Sequence, residues 1–146
     1  MRVDPGSFGS GDSFAFTDLT FGPIPVTPPP PDFGLVPNFS SAGVNVVAGG
    51  AVSDAGIVLR RYTGSTGPIS FSASALPPGV SLSIQPNPAS GGDFSTVTAA
   101  FTANPGAPPQ VNFPVTITGT PSATAGTAAH SVTVDLTVTG NFDLRV

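Results

Sequence analysis

One histidine, eight carboxylates and four guanidinium groups are the side chains of this sequence that could do chemistry. His130 is the single imidazole, the group that titrates nearest neutrality and the first candidate for a general base or a metal ligand. It stands in phase with Val132, Val134 and Leu136 at the mouth of an alternating stretch, whereas Asp135 falls on the opposite phase. No acid lies beside it in sequence, so the expectation is a strand-end residue whose ring packs and hydrogen-bonds. The acids are all aspartate and are dispersed, with no D-x-D-x-D-G loop for calcium. Asp54 and Asp93 are the pair that folding could bring together, as the paired carboxylates of glycoside hydrolysis would require. There is no G-x-S-x-G, no phosphate-cradling loop and no G-x-G-x-x-G. Cysteine is absent, which removes disulfides and thiolate chemistry. The expectation is a non-enzyme, with no catalytic residue, cofactor or metal to assign.

The remaining constellation is Arg60-Arg61-Tyr62, the one basic and aromatic cluster. It is a candidate surface contact for a carboxylate, a sugar face or a neighbouring subunit. The plainer alternative is a solvated strand end in which Arg60 or Arg61 pairs with an aspartate. Tyr62 is the only tyrosine and tryptophan is absent, so a stacking platform for sugars is poorly supplied.

The elements that must position these residues are strands. The chain lacks lysine and glutamate, both strong helix formers. It carries 18 glycines and 18 prolines in 146 residues, with 39% hydrophobic content and few charges, which suits a folded β-protein rich in turns. The net charge is −4 with no basic stripe, so nucleic-acid binding by phosphate neutralisation is not expected. No stretch approaches the ~20 apolar residues of a membrane-spanning helix. Alternation is strictest in "VNFPVTIT" (111–118) and "SVTVDLTV" (131–138). Further strands are expected at 33–36, 44–47, 55–62, 68–75, 80–85 and 93–102, the last with Phe94, Val97 and Phe101 as its apolar residues. Val111, Phe113, Val115 and Ile117 are expected on one inner face. Pro114 marks an edge or an interruption of pairing. Glycine- and proline-rich turns separate the runs, and no window keeps a helical period. Seven to eight strands in residues 33–140 predict an antiparallel β-sandwich.

Ahead of that domain, residues 1–12 read as a flexible Gly/Ser linker and residues 13–21, "SFAFTDLTF", as an extra N-terminal strand. A bulge near Thr17-Asp18 would bring Phe14, Phe16, Leu19 and Phe21 to one face. Residues 22–32 are a proline-rich linker. An exposed row of three Phe and one Leu is unfavourable by several kcal/mol, so this strand is expected to dock. Its options are its own sandwich, an upstream domain or a neighbouring copy, by strand addition. Phe14, Phe16, Leu19 and Phe21 are therefore the candidate assembly residues.

"ALPPGVSLSIQPNPAS" (75–90), "TVTAAFTANPGAPPQVNFPVTITGTP" (96–121) and "HSVTVDLTV" (130–138) resemble bacterial Ig-like sandwich modules. Those modules are appended in tandem to secreted hydrolases and cell-surface proteins. "FAFTDLTFGP" (14–23) resembles the closing strand of a jelly-roll domain, and "NFDLRV" (141–146) echoes "PDFGLV" (31–36) as though a following segment began there. The resemblance covers residues 33–138 and departs from the pattern at "AGIVLRRYT". It implies an Ig-like fold and an extracellular or cell-surface setting. It also implies a structural role in adhesion or assembly, as a surface-protein repeat or a fibre or shell subunit. The partners would be other copies or adjacent domains. The Trp and the Cys pair of antibody-type domains are absent. A carbohydrate-binding accessory module of a secreted hydrolase is the second expectation.

Overall fold

The computed structural model describes residues 27–39 and 43–141. The expected strand at 13–21, the linker at 1–12 and the segment at 142–146 lie outside the described residues.

The described residues form eight strands: β1 (Asp32–Asn38), β2 (Val44–Val47), β3 (Ser53–Tyr62), β4 (Ile69–Ala73), β5 (Val80–Gln85), β6 (Ser95–Ala103), β7 (Gln110–Pro121) and β8 (His130–Thr139). The described residues contain no helix. The strands make two four-stranded sheets, in the orders β1-β3-β6-β5 and β2-β8-β7-β4. The chain is thus an all-β sandwich. The expected limits of the strands at 44–47 and 80–85 coincide with β2 and β5.

Period-two alternation drives the layering. Ala55, Ile57 and Leu59 of β3 and Val97, Ala99 and Phe101 of β6 turn inward from one sheet. Val115 and Ile117 of β7 and Val134, Leu136 and Val138 of β8 turn inward from the other. All are essentially without solvent contact. Each buried large aliphatic or Phe side chain contributes roughly 1.5–3 kcal/mol by leaving water. The outward phases of β4 and β8 carry Ser70, Ser72, Ser131, Thr133 and Thr139, so the outer surface is hydroxyl-rich.

Three expectations are corrected. The sandwich is not wholly antiparallel, because β2 runs parallel to β8, pairing Val44 with Leu136 through Val47 with Thr139. β1 and β2 follow one another without reversing against a common neighbour; β1 joins β3 and β2 crosses to the other sheet. Phe94 is not part of the strand expected at 93–102. It precedes β6 with a left-handed backbone (φ 62°) that turns its ring to solvent, 64% exposed. Val111 is 79% exposed, because the β7–β8 register shifts between Gln110 and Phe113, where Asn112 has φ 50°. Pro114 pairs with Asp135 on one side only, since β4 reaches no farther along β7 than Ile117.

Candidate functional site

Four of the charged side chains among the described residues gather at one corner, where the proline-rich segment runs into β1. Asp32 begins β1 and pairs in register with Tyr62, the last residue of β3. His130 begins β8 in the facing sheet. The two sheets meet here through Phe33, which is 1% exposed and presents its ring edge-to-face to His130 at 4.8 Å between centroids. His130 Nε2 donates to Asp32 Oδ1 at 2.9 Å across 98 residues of sequence. The same oxygen accepts the backbone N–H of Phe33. The His130 hydrogen bond, then the Phe33 N–H, hold the Asp32 carboxyl below its ordinary value. The imidazole packs and hydrogen-bonds, as a strand-end residue would. The acid that meets it comes from β1, which the sequence around His130 does not show.

Asp93 organises the other half of the corner. Its Oδ1 accepts the Arg61 backbone N–H at 2.9 Å, the Phe94 N–H at 3.0 Å and Arg60 Nε at 3.1 Å. These donors, led by the Arg61 N–H, lower its carboxyl below the ordinary range. The expected alternative, an arginine paired with an aspartate, is what forms. Asp54 takes no part: it lies on β3 opposite Ala100, and Asp93 is committed to Arg60 and Arg61. The Arg60 guanidinium carbon sits 4.0 Å from the Phe94 ring centroid and 5.9 Å from that of Tyr62. Tyr62 is 44% exposed, so two aromatic rings flank one cation on the outer surface.

Arg61 does something different from Arg60. Its Nε donates to the Gly91 carbonyl at 2.7 Å, and Nη1 donates to Ser65 Oγ at 3.1 Å. Ser65, the one buried polar residue in the described core, donates in turn to the Ala125 carbonyl. Arg61 thus ties the β5–β6 connection to the β3–β4 turn, and its guanidinium is spent on structure. Arg60 and Tyr62 remain as the surface contact. Phe94, expected within the strand at 93–102, joins them.

Beside this cluster is an open cleft of about 430 Å³ lined by Pro29, Pro30, Pro31, Tyr62, Thr63 and His130, among others. Thr63, a third left-handed non-glycine residue (φ 48°), donates its hydroxyl to the Pro30 carbonyl at 2.7 Å and anchors the proline segment there.

The sheet edges are the other candidate surface. β2, β4 and β5 carry no charged residue, and β1 carries Asp32 alone. The β4 edge is occupied by the chain after β5. Ile69 and Ala89 exchange both backbone hydrogen bonds, and the Asn87 side chain bonds to the N–H and C=O of Phe71, both at 2.9 Å.

Comparisons with family models, curated proteins and solved structures return no match for this chain.

Proposed function

We propose that this chain is a structural, non-catalytic extracellular module that mediates assembly or adhesion, as a surface-protein repeat or a fibre or shell subunit. In this reading residues 13–21 dock through Phe14, Phe16, Leu19 and Phe21 on their own or a neighbouring sandwich. The observation that carries it is the edge chemistry. β-proteins usually blunt exposed edges with charge; of the three edge strands here that carry none, β4 is covered by Asn87 and Ala89, which leaves β2 and β5 with neither charge nor cover. The strand order supports an Ig-like arrangement. If β1 and β2 are one first strand that changes sheets, the sheets read A-B-E-D and G-F-C, the order of Ig-type sandwiches. The test is the size of the full chain in solution. Association that rises with concentration, and is lost when Phe14 and Phe16 are changed to Asp, is expected. A strict monomer whose stability ignores those changes overturns the reading.

The second reading is a carbohydrate-binding accessory module, and Phe94 favours it. Tyr62 and Phe94 offer two exposed rings beside the Arg60 guanidinium, a better stacking surface than Tyr62 alone. Retention on insoluble polysaccharides, lost in Tyr62→Ala and Phe94→Ala, would establish it. Equal retention of wild type and both variants would dismiss it.

A further inference from the structure

We infer that β5 is the edge that receives the added strand, and that its occupant is residues 13–21 of a second copy of this chain. This rests on the reading that residues 13–21 are an assembly strand, and it names where they seat.

Three edges are closed by their own chemistry. β1 carries Asp32 at its start and Pro37 near its end, and both oppose pairing with a further strand. β2 has four residues, and the Asn45 carbonyl is already taken by Ser53 Oγ at 2.6 Å. β4 is capped by Ala89 and Asn87. β5 reads VSLSIQ, with no charge and no proline, and only its first N–H, that of Val80, is taken, by the Pro77 carbonyl at 3.1 Å.

β5 also has apolar surface to cover. Its inner-phase residues are Val80, Leu82 and Ile84, opposite Ala103, Phe101 and Ala99 of β6. Phe101 and Ala99 are fully buried and Ala103 nearly so, yet the three β5 side chains are only half-buried. The facing sheet leaves this row partly open. A strand laid along β5 would complete the ladder and extend the inner face over that row. Residues 13–21 supply such a pattern once a bulge at Thr17-Asp18 brings Phe14, Phe16, Leu19 and Phe21 to one face, with Ser13, Ala15 and Thr20 on the other. Ser81, Ser83 and Gln85 continue the polar phase on β5.

Reach selects the second copy. β5 lies at the opposite edge of the sheet from β1. The added strand would sit four strand spacings from β1, roughly 19 Å across. By register, Gln85 also lies level with Asn38, about 20 Å along the axis from Asp32. The straight-line separation is therefore roughly 28 Å. Pro29, Pro30 and Pro31 stay at the Asp32 corner, beside Thr63 and His130. The eight steps from Pro29 to Phe21 span roughly 26–29 Å fully extended, about the length of the straight line itself, which runs through the sheet, so a path over the surface of the same domain falls short. Reciprocal exchange between two copies closes a dimer, whereas one-way addition between successive copies runs head to tail and builds a ring or a filament.

The absence of cysteine makes the test clean. Full-length chains carrying Thr17→Cys are mixed with full-length chains carrying Ser83→Cys on β5, or with Val36→Cys on the exposed face of β1. Each mixture is treated with a short bis-maleimide linker, and association is followed in parallel by sedimentation. The T17C–S83C pair is expected to cross-link several-fold more than T17C–V36C, with species above the 14.4 kDa monomer. Ser81→Cys replaces S83C if that variant fails to fold. Association with equal or greater yield at V36C overturns β5 as the acceptor and leaves the assembly reading standing. A cross-link within single T17C/S83C chains, independent of dilution, overturns the second copy as the occupant. A monomer with no cross-link at either position removes both.

Discussion

Phe33 and Phe94 make one experiment of opposite outcomes. Phe33 is 1% exposed and Phe94 is 64% exposed, although both precede or open alternating strands. Truncating a buried Phe to Ala costs about 3–5 kcal/mol, from lost transfer energy and the cavity left behind. Phe33 belongs at the upper part of that range. It touches His130 edge-to-face, and it is seated close to Gly119 and Gly126, where a Cβ would come within 3.1 and 3.3 Å of the ring. For a domain of this size about 4 kcal/mol lowers Tm by about 15 °C. Phe94→Ala removes a mostly solvated ring and should cost about 0.5 kcal/mol or less. Calorimetry of the full-length variants reads both. Phe33→Leu, which restores most of the apolar volume, should recover most of the loss. A Phe33→Ala transition within about 3 °C of wild type, or one no lower than that of Phe94→Ala, would refute the claim that Phe33 joins the sheets at this corner.

Four further outcomes follow from the geometry. Asn87→Ala removes two hydrogen bonds to Phe71 and should cost about 1–2 kcal/mol in denaturant unfolding; the exposed Asn45→Ala serves as the unaffected control. Gly43→Ala should destabilise strongly or abolish folding, because φ is 83° and the new Cβ would strike the Asp135 carbonyl; circular dichroism and expression of soluble protein report it. Arg61→Lys should destabilise by about 1–2 kcal/mol, more than Arg60→Lys, because an ammonium cannot serve Gly91 and Ser65 together. Asp32 and Asp93 have folded-state carboxyls lowered from 3.8, so the stability they add is present above that value and lost as pH falls below it. Asp93→Asn should flatten the acid limb of the stability profile, and an unchanged limb would count against its three-donor environment.

Much of the sandwich was legible in the sequence, because its strands alternate strictly and glycine and proline punctuate them. β8 is read almost to the residue from "SVTVDLTV", and β5 from "VSLSI". Misreadings occur where a single backbone angle breaks the period. Phe94 and Asn112 take left-handed φ values, and each reverses which side its neighbours face. Asn112 in "QVNFP" is of a type that tolerates the left-handed region and Gly91-Gly92 marks a turn in "GGDFST", but neither says which residue turns over, and phenylalanine rarely does. The corner was half legible. Arg60 with an aspartate was expected from charge alone, but Asp32 meeting His130 depends on two sheets closing over Phe33. The parallel pairing of β2 was hidden for a similar reason. Val44–Val47 looks the same whichever sheet it joins.

That parallel pairing has a mechanical consequence. Tension applied between the start of β1 and the end of β8 pulls β2 and β8 in opposite directions along their shared axis. The rungs from Val44–Leu136 to Val47–Thr139 then bear load together instead of opening one after another like a zipper. A module pulled from its ends would load β1 against β3 and then this short clasp, and its rupture force would be set by those two ladders more than by the breadth of the buried interior.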